Sequence, residues 1–218
     1  MVISRGIINK KIKFYDIEIK NKNVSQGNYL YLSALTNAYK NLLTARGAKV
    51  GDSIIIGTPA CINAAALVLA CAELGIIISI VDFFLWKNHE DLTTLSERYK
   101  KFFPIDFFVV LTDYSKNTDK MIKLKYETYK NTCKNFIILN DEKLDFTQNN
   151  SINTTPDSKF LRCLYSKDEI VELEHGFLYS LIKRNASMYY DNVGIDTNLN
   201  HGSSCATYFL PALVTDKV

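Results

Sequence analysis

The chain has 218 residues, of which 47% are hydrophobic and 22% are charged, and its formal net charge is +3. This size and composition are typical of a globular protein that buries a sizeable core. The small net charge, without a clustered basic face, excludes nucleic acid as an expected partner, and the wide spacing of the five cysteines and three histidines excludes a zinc site.

Apolar runs that alternate with amphipathic stretches predict an α/β fold with a doubly wound, mostly parallel sheet. Residues 11–20 alternate between polar and apolar side chains and predict a half-exposed strand. A helix is predicted over 30–47, with Gly47 as its stop. The predicted strands of the sheet are 53–57, 76–81, 106–111, 134–139 and 159–165. The further predicted helices are 59–74, 91–102, 118–130, 170–190 and 205–213.

The whole chain, 1–218, is expected to form a single α/β domain. Residues 11–30 are interpreted as a peripheral strand and linker, and residues 30–165 as the main α/β core. Residues 166–218 are interpreted as a helix and a terminal strand-helix unit over 196–214. The polar stretch 141–158 is interpreted as a loop within the domain.

The most apolar region, 60–81, approaches the length that spans a membrane. It carries Asn63, Glu73 and Gly75, and its composition changes from alanine and leucine to β-branched isoleucine. A helix followed by a buried strand explains this change better than one spanning helix, so no membrane association is expected.

A cytoplasmic location is expected for the protein. Cys61, Cys71 and Cys163 lie in apolar runs, which is typical of buried, reduced thiols. The first fifteen residues contain too short an apolar stretch for a signal peptide.

Residues 30–82 resemble the opening of the adenylate-forming superfamily, the AMP-dependent synthetases and ligases that include acyl-CoA synthetases and adenylation domains. The order and spacing of the elements carry the resemblance, since each element alone has an ordinary structural cause. These elements are a helix from Tyr31 to Gly47, the turn Val50-Gly51-Asp52, an apolar strand, a helix that starts at Thr58-Pro59, a stop at Gly75 and a buried strand that ends in Asp82.

The resemblance also implies a loop that holds the ATP phosphates after the strand ending in Tyr165. In the family this loop is rich in Ser, Thr and Gly and closes with Pro-Lys-Gly, and a second strand and a helix that often begins with His follow it. His175 matches the start of that helix, where we expect a capping or packing role. Residues 166–174 are several residues too few for the loop, and no glycine occurs between Gly75 and Gly176.

Carboxylates replace the phosphate-binding groups in this short segment. They are Asp168, Glu169, Glu172 and Glu174. Carboxylates that face a triphosphate disfavour its binding, and we expect these acids instead to cap and solvate the N-terminus of the helix over 170–190. No catalytic, cofactor-binding or metal-binding residue is therefore predicted, and ATP with Mg²⁺ is expected only if a partner chain completes the site.

Two other features of the sequence are candidates for a function. The segment from His201 to Cys205 places Ser and Cys beside a histidine, which permits a nucleophile, although a strand and a helix cap also explain it. Exposed aromatic and apolar side chains would mark a surface for another protein chain or for self-association. This candidate interaction surface comprises Phe83, Phe84, Trp86, Tyr208, Phe209 and Leu210.

Three functions follow from these observations. The first is a reduced, non-catalytic relative of adenylate-forming enzymes that acts as a binding or assembly module. The second is the N-terminal half of a split AMP-forming ligase completed by a partner chain, because the resemblance implies a second subdomain and a C-terminal domain that these residues do not include. The third is an unrelated α/β enzyme that uses 201–205.

Overall fold

A six-stranded sheet forms the centre of the computed structural model. The model describes residues 1–8, 10–18, 23–57, 61–80, 97, 100–110, 133–166, 169–186 and 209–214. The strands are β1 (Lys13–Glu18), β2 (Asn23–Asn28), β3 (Ser53–Gly57), β4 (Ile77–Ile80), β5 (Phe107–Val110), β6 (Asn135–Ile138), β7 (Lys159–Ser166) and β8 (Glu169–Glu174). The helices are α1 (Tyr29–Ala45), α2 (Ile62–Leu74), α3 (His175–Ala186) and α4 (Leu210–Val214), with short 3-10 turns at Arg5–Ile7 and Leu139–Asp141.

The strand order of the central sheet is β6-β5-β3-β4-β7-β8. The first five strands are mutually parallel, and only β8 runs antiparallel to its neighbour β7. Ile54 of β3 lies opposite Ile78 of β4 and Phe107 of β5, and all three are buried. Strands that are buried on both faces have continuous apolar sequences, which is why these strands could be recognised. The pairing confirms the predicted mostly parallel α/β sheet.

The region 60–81 is a helix followed by a strand, as predicted. α2 is buried along almost its whole length and packs against α1. It ends because Gly75 adopts a left-handed conformation with φ of 76°, which glycine reaches without strain. The described residues contain no helix that is long and apolar enough to cross a membrane.

α1 begins where the sequence predicts a helix. The Asn28 side chain accepts a hydrogen bond from the Tyr31 backbone N–H at 3.0 Å and caps the helix. The predicted helices over 91–102 and 118–130 lie wholly or mostly outside the described residues, and so does the first part of the predicted unit over 196–214.

Residues 23–28 form strand β2 rather than part of a linker. They pair antiparallel with β1 in a separate two-stranded sheet, with Lys13 opposite Asn28 and Glu18 opposite Asn23. The sequence Asn-Val-Ser-Gln-Gly-Asn is mostly polar, so it lacks the apolar run or alternation on which strand prediction depends. Pairing with β1, and not local preference, makes this segment a strand.

Candidate functional site

A tight hairpin occupies the position where the resemblance places a phosphate loop. β7 ends at Ser166 and β8 begins at Glu169, these two residues pair with each other, and only residues 167 and 168 lie between them. The helix predicted from residue 170 begins instead at His175. That prediction was wrong because the acids and apolar residues of 169–174 fit both patterns, and pairing with β7 favours the strand.

Two of the three carboxylates of β8 form ion pairs with cations of β7. The Glu172 carboxylate accepts a hydrogen bond from Arg162 Nε at 2.5 Å, and the Glu174 carboxylate lies 2.8 Å from Lys159 Nζ. These two acids therefore form cross-strand ion pairs and do not cap a helix. Glu169 is exposed, and Asp168 lies outside the described residues.

Arg162, four residues before the end of β7, links three strands of the sheet. Its Nη1 donates to Ser53 Oγ of β3 at 2.6 Å, while Nε binds Glu172 of β8. Its guanidinium carbon lies 4.1 Å from the centre of the Phe103 ring. A guanidinium with these partners fixes the hairpin against the sheet and has little capacity left for a phosphate.

His175 begins α3 and is completely buried. Its Nδ1 accepts a hydrogen bond from the Ile3 backbone N–H at 3.2 Å, and its ring stacks on Phe160 with centroids 4.5 Å apart. Burial lowers the pKa of the imidazole from its ordinary 6.5 to about 4. Among the described residues Nε2 has no hydrogen-bond partner. The histidine is thus a neutral packing residue at physiological pH, which agrees with the predicted role.

A buried charge cluster joins the first residues of the chain to α1 and α2. Arg5 Nη2 and Lys40 Nζ both bind the Glu73 carboxylate, at 2.9 and 2.8 Å. The side chains of Lys40 and Glu73 are 0% and 1% exposed, so this cluster is a property of the interior. Sequence reasoning used Glu73 only as evidence against a membrane span and did not identify its partners.

The ionisation of this cluster follows from opposing effects of burial and pairing. Burial lowers the pKa of Lys40, and the bond to Glu73 only partly restores it. Burial favours the neutral form of Glu73, but hydrogen bonds from Arg5 and Lys40 outweigh it and hold the pKa of this carboxyl below its ordinary value. Glu73 is therefore ionised at neutral pH.

The same cluster fixes the long loop that precedes β7. Arg5 Nη2 and Lys40 Nζ each donate to the Asn149 carbonyl oxygen at 2.9 Å, and Lys40 also donates to the Ser151 carbonyl oxygen. Asn41, the residue after Lys40 in α1, accepts from the Asn149 side chain at 2.8 Å. All these polar groups have protein partners, so the cluster offers a fixed loop rather than open groups for a substrate.

Of the candidate interaction surface, only two residues can be placed. Phe209 and Leu210 are 4% and 1% exposed and belong to the main core, against the expectation that they form an exposed surface. They are buried because α4, which begins at Leu210, packs against α3. Phe83, Phe84, Trp86 and Tyr208 lie outside the described residues, as does the segment 201–205.

The placed cysteines agree with the expectation of buried thiols. Cys61 and Cys71 are buried, and Cys163 is partly buried. Burial raises the pKa of Cys71, and it raises that of Cys163 to about 11. Within the ranges that the structure describes, no group of His, Cys, Asp and Glu side chains is arranged to hold a metal ion.

Comparisons with solved structures identify the fold. A fatty acyl-CoA synthetase of Mycobacterium tuberculosis is 16% identical, matches 87% of this chain and 38% of its own with a TM-score of 0.61. The N-terminal domain of FACL13 from the same organism is 14% identical, matching 93% of this chain and 51% of its own, with a TM-score of 0.64. The adenylation domain of a keto acid-selecting NRPS module is 16% identical, matching 96% of this chain and 38% of its own, with a TM-score of 0.73.

Sequence comparison gives one curated relative of high local identity. Acetyl-coenzyme A synthetase of Magnetococcus marinus is 47% identical over 53 residues, which are 24% of this chain and 8% of the relative. No family model matches the chain. This chain spans 38 to 51% of the three solved structures that it resembles. It has the fold of the N-terminal part of adenylate-forming enzymes, as the sequence resemblance predicted.

Proposed function

We propose that this chain is a non-catalytic relative of adenylate-forming enzymes that acts as a binding or assembly module. The observation that carries the proposal is the connection between β7 and β8, where two residues replace a phosphate loop. A phosphate cradle needs successive backbone N–H groups that converge on one anion, which glycine-rich loops provide. A connection of two residues cannot surround a triphosphate in this way.

Electrostatics at the hairpin also support the proposal. Arg162 and Lys159, the described cations of β7, are paired with Glu172 and Glu174. Glu169 is the described acid next to the turn, and its exposed carboxylate would repel a triphosphate held there. Both the shape and the charge of the hairpin thus disfavour ATP.

Calorimetric titration with ATP·Mg²⁺ tests the nucleotide part of the proposal. We expect no binding heat at ligand concentrations that saturate an intact acyl-CoA synthetase measured in parallel. The double variant Asp168→Asn, Glu169→Gln separates charge from shape, since it removes the acids next to the turn and leaves the short connection. We expect it to remain inactive in binding, and saturable binding of ATP by the unmodified chain in the low micromolar range would overturn the proposal.

The alternative is the N-terminal half of a split AMP-forming ligase. It is favoured by the intact α/β core and by coverage of 38% of the acyl-CoA synthetase structure. Mixing the chain with the remaining part of an acyl-CoA synthetase distinguishes the two functions. Carboxylic-acid-dependent release of pyrophosphate from ATP by the mixture supports the split ligase, and a mixture without this activity supports the assembly module.

The assembly role requires a partner protein or a second copy of the chain. Light scattering at micromolar concentration compares the particle mass with the 24.8 kDa of one chain. The variant Trp86→Ser tests the predicted cluster Phe83–Trp86, because loss of a buried aromatic contact weakens association. The assembly role is contradicted if the chain has the mass of a monomer and if neither a lysate fraction from the native source nor the substitution Trp86→Ser changes that mass.

A further inference from the structure

Three segments that are distant in sequence close a ring of hydrogen bonds beside the C-terminal end of α2. They are the residues from Ile3 to Ile8, here called the N-terminal strap, the loop 149–158, and the first turn of α3. Each segment binds the other two. The ring therefore connects the start of the chain to the helix that follows the β7–β8 hairpin.

The first joint links the strap to the loop through Arg5. Its Nε and Nη2 bind the two oxygens of Glu73 at 3.0 and 2.9 Å, and its backbone N–H donates to the same carboxylate at 2.9 Å. Its Nη2 also donates to the Asn149 carbonyl oxygen, and Nη1 donates to Asn37 Oδ1 at 2.6 Å. Asn37 Oδ1 in turn accepts the Asn149 backbone N–H. Arg5 thus holds the loop from two sides.

The second joint links the strap to α3. The Ile3 backbone N–H donates to His175 Nδ1, and the Ile3 side chain is 1% exposed. The third joint links α3 back to the loop, because the backbone N–H groups of His175 and Gly176 donate to the carbonyl oxygens of Ser158 and Pro156 at 3.1 and 2.8 Å. Between these joints the loop is attached to α2, where the Asn153 N–H donates to the Glu73 carbonyl oxygen at 2.7 Å.

The loop depends on these joints for its order. Residues 142–158 contain no helix or strand, so the backbone groups of the loop are not held by a ladder of their own. A connection of this length without secondary structure stays fixed only through its attachments. Arg5 shares the attachment at Asn149 with Lys40 and Asn41. The attachments at Pro156 and Ser158 are made by the start of α3, which the strap also holds.

We propose that the N-terminal strap is a conformational clasp that couples the loop 149–158 to the first turn of α3, so that the three segments detach from the core together. Arg5 makes no hydrogen bond or ion pair to α3, and yet its removal is expected to loosen α3. This remote effect distinguishes a clasp from a set of independent contacts.

Amide hydrogen exchange of the Arg5→Met variant tests the clasp. Glu73 keeps Lys40 as its partner in this variant, so no unpaired charge is created and the fold is expected to persist. The reporters are the N–H groups of Asn153, His175 and Gly176, whose acceptors are known. We expect all three to exchange about tenfold faster or more, while the amides of β3 keep their protection.

Arg46→Met is the matched control, since it breaks an exposed pair with Glu142 just before the loop and outside the ring. We expect it to leave the three reporters unchanged. His175→Phe approaches the ring from the opposite side, because it keeps an aromatic ring over Phe160 but cannot accept the Ile3 N–H. Faster exchange of Asn153 in this variant supports the coupling. Effects confined to the neighbours of each substitution, or a uniform acceleration that includes β3, would overturn the proposal.

Discussion

Acidification is expected to destabilise the protein through His175, which is buried and has no charged partner among the residues that the structure describes. The pKa of its imidazole is lowered by burial from 6.5 to about 4 in the folded chain. Below pH 6.5 the unfolded chain therefore binds a proton that the folded chain does not bind. The contribution of His175 to stability is complete above pH 6.5, and it is lost as the pH falls toward 4.

The size of the loss follows from this difference in pKa. At pH 5 the imidazole is almost fully protonated in the unfolded chain and about one tenth protonated in the folded chain, which lowers the free energy of unfolding by about 2 kcal/mol relative to pH 7.5. The loss reaches about 3 kcal/mol near pH 4. Measurement above pH 5 is preferable because the ordinary titration range of Asp and Glu lies below it.

His175→Asn removes the titration and keeps the hydrogen bond. Its side-chain oxygen takes the place of Nδ1 as acceptor for the Ile3 N–H, while loss of the stacking on Phe160 lowers stability equally at every pH. Urea unfolding between pH 7.5 and 5 is expected to show a loss of about 2 kcal/mol for the natural chain and less than about 0.5 kcal/mol for the variant.

The two other histidines provide the controls for this measurement. His89→Asn and His201→Asn remove an imidazole from other places in the chain and are expected to retain the full loss of stability. Parallel curves for the natural chain and His175→Asn would show that the buried imidazole does not carry the pH dependence. If the pH-dependent loss of stability disappears in His89→Asn or His201→Asn instead, the histidine replaced in that variant carries it.

Two further predictions compare pairs of substitutions, at the buried charge cluster and at two glycines with positive φ. Glu73→Gln leaves Lys40 buried beside an uncharged amide and is expected to lower the free energy of unfolding by about 3–5 kcal/mol, measured by urea unfolding. Lys40→Met leaves Glu73 paired with Arg5 and is expected to cost less stability than Glu73→Gln. A larger loss for Lys40→Met would refute the assignment of Glu73 as the shared acceptor. Gly75→Ala is expected to cost about 1 kcal/mol more than Gly47→Ala, because both have positive φ but only at Gly75 does an added Cβ meet neighbours within 3.1 to 3.3 Å. Equal losses in the two alanine variants would contradict that contact.

The central sheet could be predicted from local sequence because its strands are buried on both faces. Continuous apolar runs such as 53-SIIIG-57 and 107-FFVV-110 are typical of strands in the middle of a parallel sheet, where both faces are buried. The stop at Gly75 was equally readable, since a left-handed cap excludes most other residues. The order of these elements also carried the likeness to adenylate-forming enzymes that comparison of the folds confirms.

The edges of the fold could not be predicted in the same way. Residues 169–174 carry acids and apolar groups in an order that suits a helix start or an outer strand, and the choice depends on Arg162 and Lys159 across the hairpin. β2 likewise depends on pairing with β1. In both segments the stabilising partner lies on another strand, and local sequence does not specify it.

The buried charge cluster of Arg5, Lys40 and Glu73 also depends on residues that are distant in sequence. Sequence alone places Glu73 in an apolar helix, and a charge that is buried there is stable only with a partner. Its partners are Arg5, 68 residues earlier, and Lys40, on the neighbouring helix, and they become apparent only in the folded chain. A buried charge is stabilised by whichever opposite charge the packing brings within about 3 Å, and that distance is set by how α1, α2 and the first residues pack together.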